Sequence, residues 1–112
     1  MLNIGKLEIV TAGDILKEEF LTPMGITPYR LAMEIKVSNT LISKIIKGER
    51  SITADMALRL SKFFGTTPEF WTNLQNSQDL KIAKERQKEE GLKIKMFNLM
   101  LPEKNKSTLK HA

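Results

Sequence analysis

Apolar positions recur at helical spacing in five segments between residues 12 and 90, and each segment is bounded by a punctuating residue. Ile15, Leu16, Phe20 and Leu21 share one face and predict a first helix, closed off by Pro23 and Gly25. Thr27 followed by Pro28 restarts the chain. A threonine hydroxyl accepts from a free amide of the first turn, and proline at the first helical position loses nothing by lacking its own N–H. Leu31, Ala32 and Ile35 give this second helix a short apolar stripe. After a break at Lys36 and Val37, Ser38 caps a third helix with Leu41, Ile42, Ile45 and Ile46 on its inner face, and Gly48 stands at the left-handed stop. Thr53 caps a fourth, whose core face is Met56, Ala57, Leu60, Phe63 and Phe64, with Gly65 closing it. Thr67-Pro68 repeats the threonine-proline start for a fifth helix towards Glu90, ended by Gly91. At the ends, Leu2, Ile4, Leu7 and Ile9 suggest a short strand, as does the alternation of Leu92, Ile94 and Met96 with Lys93 and Lys95. The polar, lysine-rich stretch from Pro102 to Ala112 has the composition of a disordered tail.

The spacing across the second and third helices carries the most information. Two short helices crossing at about 90–120° need a small residue at their contact, and Ala32 supplies it. They also need apolar side chains on both sides of a tight turn, and Leu31, Ile35, Val37, Ile42 and Ile45 stand at the required intervals from Pro28. This is a helix-turn-helix pattern with one departure. The turn residue, often glycine because its φ is positive, is Lys36, at a cost on the order of 1 kcal/mol.

Once the isoleucines face inward, Asn39, Thr40, Ser43, Lys44 and Lys47 point outward. They are short near the start of the helix and basic further along, with no acid among them. That is the chemistry of a helix read into a major groove. Asn39 can pair with adenine N6 and N7, Thr40 can offer its methyl to thymine, Ser43 can also reach a base edge, and Lys44 can reach guanine or a phosphate. Lys47 and Arg50 suit phosphates, as do Thr27, Arg30 and the free amides at the start of the second helix. Taken singly, each of these residues also fits a plain cap or a solvated surface position. Their joint placement on one acid-free face favours DNA contact.

Charge sharpens this picture. The formal net charge is +5. Between residues 27 and 65, seven bases (Arg30, Lys36, Lys44, Lys47, Arg50, Arg59, Lys62) face three acids (Glu34, Glu49, Asp55), whereas the flanking segments at 1–26 and 66–90 are mildly acidic. With 112 residues the chain accommodates one modest core. It divides into an N-terminal extension (1–11), a helical domain (12–90) and a C-terminal tail (91–112). There is no cysteine, hence no disulfide or thiolate metal site, which fits a cytoplasmic protein. No apolar run reaches the roughly 18 residues of a membrane span. The single histidine, His111, stands near the C-terminus, where no catalytic triad can be assembled around it. Neighbouring carboxylates such as Glu18–Glu19 diverge on a helix. These features point away from an enzyme and call for no cofactor or metal.

The stretch AGDILKEEFLTPMGITPYRLAMEI, followed by VSNTLISKIIKGERSITADMALRLSKFFGTTPEFWTNLQ, resembles the HigA-type antitoxins of the Xre/Cro helix-turn-helix superfamily over about residues 12 to 85. The run PEFWTNLQ is its most specific part. Ala12-Gly13 replaces a Pro-Gly common before the first helix, and Lys36 is a second departure. The resemblance implies an all-α, five-helix, lambda-repressor-like domain with an extended or partly disordered C-terminal tail. It implies a type II antitoxin that binds a RelE-like (HigB-like), mRNA-cleaving toxin and represses their shared operon through double-stranded operator DNA. A homodimer is expected, because such proteins read two half-sites about 34 Å apart. Phe70, Trp71 and Leu74 share a helical face and either complete the core or serve self-association. For the toxin, Glu18 and Glu19, or Glu85, Glu89 and Glu90, offer an acidic complement to a basic partner, and the apolar chain ends offer a strand instead. Other readings are a stand-alone repressor of phage or mobile-element type, with no toxin, and an interaction module that no longer binds DNA.

Overall fold

The structure, a computed structural model, describes residues 9–97. Helix α1 is one continuous coil: an α-helical turn at Ala12–Ile15, a π-helical stretch at Leu16–Leu21 and a closing turn at Thr22–Met24. The wider turns appear as Thr22 N–H donating to the Lys17 carbonyl, just ahead of Pro23, which has no N–H to donate. Helices α2 (Pro28–Ile35), α3 (Asn39–Ile46), α4 (Ala54–Phe64) and α5 (Pro68–Glu89) follow. The five-helix, all-α expectation therefore holds among the described residues.

The first helix carries the expected Ile15–Leu21 face, extends ahead of it and closes at the expected Gly25. It starts at Ala12, before Ile15, because Thr11 builds a reciprocal cap: its hydroxyl accepts the Asp14 N–H at 3.0 Å and its own N–H donates to the Asp14 carboxylate at 3.0 Å. It also runs past Pro23 to Met24, and Gly25 (φ 66°) ends it. The strand expected at 92–97 does not form. That segment is irregular, and no strand among the described residues pairs with it. The N-terminal strand expectation and the disordered-tail expectation fall outside the described residues, apart from Ile9, which is irregular.

The other four helices start where their caps predict. Thr27, Ser38, Thr53 and Thr67 each accept from the amide three residues on, at 3.0–3.2 Å, each cap contributing about 1 kcal/mol. The core joins Leu16 and Leu21 of α1, Leu31, Ala32 and Ile35 of α2, Ile42 and Ile45 of α3, and Met56, Ala57 and Leu60 of α4, with Ile52 from the loop. Trp71 of α5 is fully buried and donates its indole N–H to the Thr66 hydroxyl at 2.8 Å. Phe20, Phe64 and Phe70 ring it at centroid distances of 4.9–6.0 Å. Of the face expected to carry Phe70, Trp71 and Leu74, the tryptophan is core, Leu74 packs against the core and Phe70 is partly exposed.

Two buried glutamines tie α5 to the rest. Gln75 accepts the Ile52 N–H at 2.9 Å and donates to Asp79, while Gln78 accepts the Ala12 N–H at 2.8 Å. At the other face of α1, Gly13 lies against the C-terminal end of α3. A Cβ there would overlap the Ile45 carbonyl oxygen and stand 2.9 Å from that of Ile46. Only glycine admits this approach, and it fixes α3 against α1.

Candidate nucleic-acid interface

Helix α3 is anchored from within and open on its far side. Ile42 and Ile45 are 0% and 1% exposed, and each such burial is worth about 1.5–3 kcal/mol. With that face pinned, the 3.6-residue period turns Asn39, Thr40, Lys44 and Lys47 out to solvent, and Ser43 is half-buried between the two faces. Ser38 caps the helix by accepting the Leu41 N–H at 3.0 Å, which leaves the side chains of the first turn free of capping duty. The turn before α3 carries the predicted strain: Lys36 has φ 62° and ψ 49°, and is the only non-glycine with positive φ among the described residues.

The end of α1, the start of α2 and the face of α3 enclose an open cleft of about 520 Å³. Thr27, Asn39, Ser43 and Lys47 all line it. Two proposed phosphate residues and two proposed base residues are thereby brought together at one groove. Thr40 and Lys44 are exposed on the same helix outside the cleft lining. Arg30 stands apart. Its Nε donates to the Glu34 carboxylate at 2.7 Å, so part of its charge is met within the protein. Arg50 is exposed on the loop after Gly48, where the amides of Glu49 and Arg50 both donate to the Lys44 carbonyl and fold the loop back on α3. The two salt bridges among the described residues involve neither Lys44, Lys47 nor Arg50.

Lys17 and Tyr29 are among the lining residues that escaped the sequence reading. Lys17 comes from α1, and Tyr29 stands 62% exposed in the first turn of α2. Lys17 reads in sequence as one more surface lysine. Tyr29 carried a usable signal: an aromatic with a hydroxyl, in a helix's first turn and off its apolar stripe.

The helix-turn-helix family matches residues 16–71. Virulence-associated protein I of Dichelobacter nodosus is 43% identical over 83 residues, spanning 72% of this chain and 77% of that relative. Antitoxin HigA-1 of Vibrio cholerae is 42% identical over 86 residues, spanning 77% of this chain and 81% of the relative. Among solved structures, Pseudomonas aeruginosa antitoxin HigA with the higBA promoter superposes with a TM-score of 0.73 at 35% identity, over 81% of this chain and 98% of that one.

Proposed function

This chain belongs to the helix-turn-helix family, among relatives that include HigA-type antitoxins, and we propose that it is a type II antitoxin with two tasks. It represses its own operon by laying α3 in the major groove of operator DNA, and it neutralises a RelE-like, mRNA-cleaving toxin by direct binding. In this reading Asn39, Thr40, Ser43 and Lys44 meet base edges, while Thr27, Arg30, Lys47 and Arg50 hold phosphates. Lys17 and Tyr29 join them, because they line the same cleft. A homodimer presents two copies of α3 to two half-sites. Catalysis has no part in the function, and its setting is the cytoplasm.

The observation that carries the reading is the exposed, acid-free row on α3 beside a cleft lined by Thr27, Asn39, Ser43 and Lys47. The promoter present with the HigA of Pseudomonas aeruginosa supports operator DNA as the occupant of this surface. A duplex taken from immediately upstream of the gene tests it by fluorescence anisotropy at rising salt. Retention that falls steeply with salt is expected, since phosphate contacts release counterions. No binding, or binding indifferent to salt and sequence, would remove the repressor role. Co-expression with the product of the adjoining reading frame tests the second task. A small basic protein that co-purifies supports it, and its absence leaves a stand-alone repressor.

A further inference from the structure

We infer that Arg59, which lies on α4 and not on the reading helix, is a positioning residue that sets the angle at which α3 is presented to DNA. The inference rests on the DNA-reading role proposed above. Arg59 reaches back across the domain to the turn between α2 and α3. Its Nη1 donates to the Ile35 carbonyl at 2.7 Å and to the Lys36 carbonyl at 3.3 Å. Its Nε donates to the Asp55 carboxylate at 2.8 Å, one helical turn earlier on α4. The guanidinium is therefore oriented through Nε and bonded to the turn through Nη1.

Those carbonyls are the groups a helix end leaves without an intrahelical partner. They stand at the negative end of the α2 dipole, where a cation is favoured. Lys36 is also where the chain adopts its left-handed conformation. Between Ile35 and Ser38 only three peptide units separate the two helices, so a small rotation at Lys36 swings the whole of α3. Arg59 holds that rotation from a third helix, and its hydrogen bonds go to the turn and to Asp55, not to α3. The lysine pattern gives no hint of this: in sequence, Arg59 is one basic residue among seven between positions 27 and 65.

Lysine cannot replace the fork. An ammonium keeps the charge but lacks the planar geometry that serves Asp55 and two carbonyls at once. Arg59→Lys is the principal variant, with Asp55→Asn as a second that removes only the orienting carboxylate. Both are compared with the parent on a duplex selected by the parent from a randomised pool, and on a scrambled duplex, well below their melting temperatures. The inference expects Arg59→Lys to bind the selected duplex about tenfold more weakly, the equivalent of losing one charge-assisted hydrogen bond. Binding to the scrambled duplex and the salt slope should be unchanged, and Asp55→Asn should show a smaller loss in the same direction. A role in stability alone would lower the melting temperature and leave the folded protein's affinity intact, which overturns the inference. A shallower salt slope in Arg59→Gln, which removes the charge, would instead make Arg59 a direct phosphate ligand, and also overturns it. Residual dipolar couplings of the α3 amides in DNA-free protein decide the matter independently of any DNA. A reoriented α3 in Arg59→Lys supports the inference, and an unmoved α3 refutes it. A parent that selects no duplex would count against the proposed function, and the couplings would still judge Arg59.

Discussion

Lys36→Gly should stabilise this protein, although it deletes a side chain and adds freedom to the unfolded chain. Lys36 sits at φ 62° and ψ 49°, where a Cβ crowds the following carbonyl, at about 1–2 kcal/mol for an ordinary residue. Glycine removes that cost. In exchange, its wider freedom in the unfolded state takes back about 0.4–1 kcal/mol. Nothing else at the turn depends on the lysine side chain. The Lys36 N–H and the Val37 N–H both donate to the Ala32 carbonyl, and Arg59 binds main-chain oxygens. The net gain therefore lies between about 0 and 1.6 kcal/mol and is centred on about 0.8, which for a domain of this size raises Tm by roughly 3–6 °C. Thermal and urea melts of parent, Lys36→Gly, Lys36→Asn and Lys36→Ala measure it. The order expected is Gly above Asn above Lys, with Ala no better than Lys, since asparagine tolerates the left-handed region and alanine does not. A glycine variant that melts at or below the parent, or an alanine variant that gains as much, would refute the reasoning.

Other perturbations probe the packing and the proposed interface. Gly13→Ala drives a Cβ into the Ile45 carbonyl and should cost about 1–3 kcal/mol despite alanine's better helix propensity, the signature of overpacking; a neutral melt would mean α1 and α3 are not held this closely. Gln75→Ala leaves the buried Ile52 N–H without its acceptor and should cost about 1–3 kcal/mol, read by urea denaturation with an unchanged m-value. Lys47→Ala should weaken binding to all duplexes alike and reduce the salt slope by about one phosphate's share; an effect confined to one base position would contradict the phosphate role.

What was legible in the sequence was local or periodic. Thr27-Pro28 and Thr67-Pro68 announced helix starts because capping chemistry acts within three residues. The Ile42–Ile45 row placed the core face of α3, and the spacing from Pro28 located the strained residue at Lys36, whose φ is 62°. What stayed hidden depends on contacts between distant segments. Gly13 meets Ile45, and no pattern around either residue names the other. Gln75 and Gln78 have nothing around them in a polar helix to mark burial, yet both are buried, because each completes a main-chain amide that another segment leaves open. Trp71 is the only large apolar residue buried on α5, so that helix shows little hydrophobic period. The cleft reveals the same limit. Lys17 reaches it from α1, and only the crossing of the helices brings it beside Asn39.

The claim that α3 reads DNA is tested most directly by selecting binders from a pool of randomised duplexes with the parent and with an Asn39→Ala/Lys44→Ala variant of matched helicity. The parent should enrich one two-fold-related sequence, and the variant should retain only unselective, salt-sensitive binding. A variant that enriches the same sequence as the parent would show that base reading lies on some other surface.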